Sequence, residues 1–213
     1  MLILGLVAIL TCTGLNVSAE TDGTGDVWHW QGSGSSWSWD AYSGEKSNID
    51  ITTIEYSISG SDATLTMTVD GSIQSSASIF NYMHLTSPSG TYRAWYSAGV
   101  GMWVGSEGFA GETGMLTDPV TGNTFSATFP ISDTSASYDV WAYAAEYATI
   151  GDVATSEWWA DYAPAPYAPW YTADDDTGDD DDDDTGNGGG DGGKKKDSPG
   201  FELIALILLR RRK

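Results

Sequence analysis

Leu65, Met67 and Val69 alternate with Thr64, Thr66 and Thr68, and a chain with this period of two can turn one apolar side inward only as a β-strand. Phe125, Ala127, Phe129 and Ile131 repeat the pattern, as do Ile54, Tyr56 and Ile58. Turn-forming residues separate the runs: Ser59-Gly60-Ser61-Asp62, Asp70-Gly71, Ser87-Pro88-Ser89-Gly90, Asp118-Pro119 and Thr121-Gly122-Asn123. No long stretch carries helical periodicity. Strands are therefore expected near 50–58, 63–70, 78–86, 91–97, 101–104, 123–131 and 137–147. These suffice for an all-β fold, an antiparallel two-sheet β-sandwich of jelly-roll-like type.

Both ends differ from this middle. Leu2 to Leu15 is mostly apolar and uncharged, and Val17-Ser18-Ala19 offers the small residues a signal peptidase reads, so residues 1–19 are expected to be an export signal. Residues 20–172 then form the sandwich domain. From Ala173 to Ser198 the composition falls to Asp, Gly, Thr and Lys, including the unbroken run Asp179 to Asp184. No side chain there can offset the entropy of ordering by burial, so 173–198 is expected to be a disordered, self-repelling linker.

Residues 199–213 close the chain with Pro199-Gly200-Phe201, an apolar stretch from Leu203 to Leu209, and the basic cluster Arg210, Arg211, Arg212 and Lys213. This order resembles the PGF-CTERM sorting signal of archaeal surface proteins. The resemblance implies recognition of Pro199, Gly200 and Phe201 by an archaeosortase-type processing enzyme, removal of the hydrophobic tail and attachment to a membrane lipid. The basic cluster independently suits a membrane-proximal, cytoplasmic end. The apolar stretch alone would reach only ~10 Å as a helix, too little for a permanent span.

The domain itself is acidic. Residues 20–172 hold 18 Asp and Glu against Lys46 and Arg93 as the only cations, and the whole chain carries a formal charge of -21. Such a field repels nucleic acid, which is not expected as a partner, and suits a protein that stays soluble where salt screens self-repulsion. One Cys, at position 12, excludes an internal disulfide framework, and two His leave little material for imidazole chemistry.

The succession Asn48-Ile49-Asp50-Ile51, the Thr-rich strand ending Val69-Asp70-Gly71, Asn123-Thr124-Phe125 leading to Phe129-Pro130, Tyr138-Asp139-Val140-Trp141-Ala142-Tyr143, and Asp161-Tyr162-Ala163-Pro164 is similar to DOMON-like and family-nine carbohydrate-binding sandwiches. That resemblance implies a binding module for sugar or haem and not an enzyme.

Aromatic residues are the material for such binding. Trp28 and Trp30 share one face of a strand, as do Trp37 and Trp39, and pairing 28 with 39 sets 30 opposite 37 in a tryptophan-rich hairpin. Indoles on such a hairpin can stack on sugar rings or on one another. Trp158, Trp159, Tyr162, Tyr167, Trp170 and Tyr171 form a second concentration beside Pro164, Pro166 and Pro169, read as a glycan-binding surface or a strap over the sandwich edge. Trp103 lies in a glycine-rich stretch between Gly99 and Gly114 that is read as a mobile contact loop. The candidate carbohydrate-binding residues are thus Trp28, Trp30, Trp37, Trp39, Trp103, Trp158 and Trp159.

No catalytic residues, metal ligands or cofactor are assigned. Calcium on loop carboxylates such as Asp118, Asp133 or Asp152 stays open, without EF-hand spacing. Haem is disfavoured: Met83 and His84 are adjacent in a strand and point apart, leaving only His84 with Met67 or Met102. No pair of carboxylates is singled out for glycoside hydrolysis. The expected protein is an exported, C-terminally anchored, non-catalytic binding module whose partner is a glycan or a cell-envelope protein. The alternatives are a structural or adhesive envelope component and a haem or redox module.

Overall fold

The computed structural model describes residues 16–33, 36–105, 112–149 and 157–168. The sorting segment, the acidic linker, Cys12, Phe109, Asp152, Trp170 and Tyr171 lie outside the described residues.

The described residues form strands β1 Asn16–Thr21, β2 Trp28–Ser33, β3 Ser36–Ala41, β4 Ile51–Ser59, β5 Asp62–Val69, β6 Ile79–Ser87, β7 Gly90–Ser97, β8 Val100–Val104, β9 Thr113–Leu116, β10 Val120–Thr121, β11 Thr124–Pro130, β12 Asp139–Tyr147 and β13 Trp158–Ala163. A cis Ala163–Pro164 bond and a short 3-10 helix, Ala165–Tyr167, follow. All strand pairs are antiparallel. A five-stranded small sheet runs β1-β4-β5-β11-β10, and an eight-stranded large sheet runs β3-β2-β13-β12-β6-β7-β8-β9. The two pack face to face as a β-sandwich, with Ile54, Leu65, Met67, Phe125 and Phe129 of the small sheet meeting Met83, Leu85, Ala94, Val140 and Ala142 of the large one. Each large side chain buried there contributes ~1.5–3 kcal/mol.

The alternating runs fall where expected, because β4, β5 and β11 face the core with one side and present Thr and Ser on the other. Thr64 meets Thr128 at 2.9 Å across that outer face, and Thr66 lies 3.5 Å from Ser126. The aromatic run at 158–163 differs from the strap expected of it. It is β13, held between β2 and β12 inside the large sheet. Its buried side chains point to both faces, which hides the alternation that marks a half-buried strand. The glycine-rich stretch is also more ordered than expected at its start: Trp103 belongs to β8 and stacks on Phe129 in the core, with ring centroids 5.5 Å apart.

β1 begins at Asn16, so Asn16 to Ala19, read as the end of the leader, pair with Ile58 to Glu55 of β4. This is an edge strand, and Val17 is 60% exposed, so β1 adds backbone pairing to the sheet and little core.

The β7–β8 hairpin closes through Ala98 and Gly99, both at positive φ (52° and 77°), between paired Ser97 and Val100. The glycine takes this conformation freely, whereas alanine in the left-handed region costs ~1–2 kcal/mol. Asn-Gly is the favoured pair for such a turn. Ala98→Asn is accordingly expected to raise unfolding stability by about 0.5–1 kcal/mol, read as a shift in denaturant midpoint without a change in slope.

Candidate functional site

The large sheet is apolar on both faces. Its outer face carries a cluster of Trp30, Phe80, Tyr82, Trp95, Trp141, Tyr143, Tyr147, Trp158 and Tyr162, separate from the core between the sheets. Register sets these rings in rows, since residues opposite one another on paired strands share a face. One row runs Trp39, Trp30, Trp158, Tyr147. The next runs Ala41, Trp28, Ala160, Ala145, Phe80. A third runs Tyr162, Tyr143, Tyr82, Trp95, Met102. A fourth runs Trp141, His84, Arg93, Val104. Two alanines in the middle of the second row leave room for the large rings on either side.

The rings pack on one another. Trp30 stacks on Trp39 at 4.5 Å and on Trp158 at 4.9 Å, and Tyr143 on Tyr82 at 5.1 Å and on Tyr162 at 5.3 Å. Tyr167, in the 3-10 helix, stacks on Trp141 at 5.6 Å, so the C-terminal segment does cover part of this face. Trp30 and Trp158 are buried, whereas Trp28 and Trp39 at the β2–β3 edge keep half-buried faces.

The candidate tryptophans therefore divide. Trp28, Trp30, Trp39 and Trp158 come together on the outer face. Trp37 sits opposite Gly32 in the backbone register, and its side chain lies outside the described residues. Trp103 and Trp159 point to the other side of the sheet and do not join them. Trp159 is held between the His29 ring, stacked at 4.9 Å, and the Lys46 ammonium, 4.1 Å above its indole. Lys46 in turn donates to Glu146 at 2.7 Å, and His29 pairs with Glu157 at 2.6 Å.

The hairpin register differs from the sequence expectation by two residues. Trp30 lies opposite Trp39, and Trp28 opposite Ala41. Pairing continues to Ser33 and Ser36. A shift of two preserves the face, so the indoles stay together while their partners change. Sequence reading missed the tyrosine rows altogether. The signal available was Tyr143, Ala145 and Tyr147 alternating on 137–147 and Phe80, Tyr82 and His84 on 78–86, opposite in phase to the core residues of the same strands.

Polar groups punctuate the aromatic face. Burial, and secondarily the Arg93 charge, push the His84 imidazole down to about 4, so it is neutral at ordinary pH. Its ring lies against Trp141 at 5.0 Å, and its Nδ1 has no hydrogen-bond partner. The Tyr143 hydroxyl, buried in the third row, likewise has none, and burial raises its pKa far above the usual tyrosine range. Met67 lies in the core between the sheets while His84 points outward, so these two cannot share one iron. Met102 shares the face with His84 but stands across β7, with Arg93 beside the imidazole.

Of the loop acids named from sequence, Asp152 lies outside the described residues, and Asp118 and Asp133 belong to no group of three converging acids. Asp133 is exposed and accepts from the Ser135 hydroxyl (2.7 Å), the Ser135 amide (2.9 Å) and the Ser89 hydroxyl (3.0 Å), which bind the 132–136 turn and lower its pKa. The acids that do converge are Asp22, Asp26 and Asp161, with oxygen atoms within 4.8 Å of one another.

By fold the protein is an antiparallel β-sandwich with a second, aromatic outer face. Comparison with protein-family models, with curated proteins and with solved structures finds no match. No helix among the described residues is long and apolar enough to cross a membrane.

The state of His84 makes one prediction. The unfolded chain takes up a proton near 6.5 while the native one resists it down to about 4, so this residue contributes stability present above pH 6.5 that is lost as pH falls toward 4. The term is on the order of 3 kcal/mol. His84→Gln should flatten the acid limb of the stability profile between those pH values relative to the unaltered protein, followed by urea midpoints. Identical slopes in the two proteins would show that His84 titrates normally in the fold.

Proposed function

We propose that this chain is an exported, surface-anchored, non-catalytic binding module that takes carbohydrate against the aromatic face of its large sheet. The observation that carries the reading is the contrast between the two outer faces. The small sheet turns Thr and Ser outward, as a sandwich requires for solubility, whereas the large sheet turns outward rows of Trp and Tyr that the inter-sheet core does not need. Sugar rings offer weakly apolar C–H faces to indoles and wet hydroxyls to a few polar atoms, and ligand sites combine those two elements. Trp28 and Trp39 supply the accessible indole surface at the sheet edge.

Anchoring belongs to the same proposal. The leader at 1–19 directs export, the 173–198 linker spaces the domain from the membrane, and an archaeosortase-type enzyme acts at Pro199-Gly200-Phe201 to exchange the tail for a lipid. A cut after Ala19 would leave β1 only Glu20 and Thr21 and would remove none of the buried core residues.

A second reading, a structural or adhesive envelope component, draws support from a specific feature: Trp30 is stacked on both sides by Trp39 and Trp158, and Tyr167 already covers Trp141. Glycan-array binding by the purified protein distinguishes the two. Trp28→Ala and Trp39→Ala should each weaken glycan binding by about tenfold, the equivalent of one lost stacking contact of ~1.4 kcal/mol, with the β-sheet circular dichroism retained. Glycan binding indifferent to both changes would remove the carbohydrate reading, and self-association equally indifferent to them would favour the envelope component.

A further inference from the structure

Independently of the carbohydrate reading, three aspartates meet where the two sheets join, and a fourth, Asp50, is hydrogen-bonded to the loop that carries two of them. Asp22 and Asp26 lie on the connection between β1 and β2, Asp50 immediately precedes β4 in the small sheet, and Asp161 projects inward from β13 of the large sheet. Ligand oxygens of Asp22, Asp26 and Asp161 lie within 4.8 Å of one another. Asp161 is 2% exposed and accepts from the Ile51 amide at 2.6 Å and its neighbour Tyr162's amide at 2.8 Å, which fixes it across the sandwich against the start of β4.

The observation that points to a ligand is Asp50. It is 6% exposed, and its Oδ2 accepts from the Gly25 amide at 2.7 Å, within the very loop that carries Asp22 and Asp26. Its other oxygen, Oδ1, is shut off from solvent and has no donor. Asp22 Oδ2 and Asp26 Oδ1 are in the same condition. An unpartnered buried carboxylate oxygen costs the fold a few kcal/mol, and several gathered together repel one another as well. Among the described residues no Lys or Arg answers this charge: Lys46 is committed to Glu146 and Trp159, and Arg93 lies on the outer face.

We propose that Asp22, Asp26, Asp50 and Asp161 form a binding site for one hard divalent cation, calcium in the first instance, which clamps the β1–β2 connection and the small sheet to the large one. The donor set is entirely oxygen, with no His or Cys, which excludes the softer transition metals as preferred occupants. Calcium accepts six to eight oxygens at flexible geometry and so tolerates ligands drawn from three separate segments, whereas magnesium demands a tight octahedron. A cation here replaces carboxylate repulsion by attraction beside the buried hydrogen bond that Asp161 accepts from the Ile51 amide of the other sheet.

The test uses the full chain, stripped with EDTA and exchanged into buffer, titrated with calcium chloride by calorimetry and followed by thermal unfolding. One saturable site with a dissociation constant of ~10⁻⁴ to 10⁻³ M, typical of extracellular calcium modules, is expected, together with a rise in unfolding temperature. Asp26→Asn and Asp50→Asn should each weaken calcium by about tenfold or more and diminish the thermal shift. In EDTA the same variants should be as stable as the unaltered chain or more so, because each removes a repelling charge; a merely structural carboxylate would instead lose stability in both buffers. Asp133→Asn, at the exposed turn, should leave the calcium response intact. Absence of any calcium-dependent thermal shift in the unaltered chain at millimolar calcium would overturn the site. So would a response preserved in both Asp26→Asn and Asp50→Asn, which would assign the ions to other acids such as the Asp179 to Asp184 run.

Discussion

The middle strands of the large sheet are buried on both faces, and most of the architecture follows from that. A sandwich needs its sheets to be apolar on one side only, and β4, β5 and β11 obey, with buried and partly exposed positions in turn. β6, β12 and β13 do not: β12 is buried at almost every position from Val140 to Tyr147. Strands of this kind must sit in the middle of their sheet, with partners on both edges and side chains packed above and below. β13 is accordingly held between β2 and β12, and the tryptophan hairpin becomes the outer edge of the sheet instead of an appendage to it.

The second face also explains how aromatic residues are allotted. On the core side, Trp103, Tyr92 and Phe129 stack among aliphatic side chains. On the outer side, indoles and phenols stack almost exclusively on each other, with alanines at 145 and 160 as the spacers. Such a face gains packing energy and retains a directional chemistry, flat π surfaces with isolated polar atoms, which an aliphatic face would lack. At the opposite pole, polar chemistry gathers between the sheets: Lys46, Asn48 and Glu146 on one side of Trp159, and the four aspartates near the start of β4. Asp161 links this pole to the fold itself, since its carboxylate takes the Ile51 amide of the other sheet.

Legibility in the sequence followed the same division. β4, β5 and β11 were readable to within a residue or so because half-burial writes a period of two into the chain. β13 was not, because a strand buried on both faces reads as an unpatterned aromatic run, and Pro164, Pro166 and Pro169 pointed toward extended coil. The face shared by Trp28, Trp30 and Trp39 was recoverable from alternation, but the partners were not: a slip of two residues keeps the face and changes every cross-strand neighbour. Trp159 and Trp158 illustrate the limit, being adjacent in sequence and similar in chemistry yet bound to opposite sides of one sheet.

The acids show it most plainly. Asp22, Asp26, Asp50 and Asp161 span most of the domain, with no spacing that marks them, while Asp118 and Asp133 sit in turns that look equally suited to a cation. Amino-acid order by itself determined the class of fold, the acidity of the domain and the two distinct ends, since alternation, charge and low complexity are local properties. Which rings form a row and which carboxylates meet was decided only when β13 paired between β2 and β12 and closed on β4, because those neighbours are set by long-range strand register and not by distance along the chain.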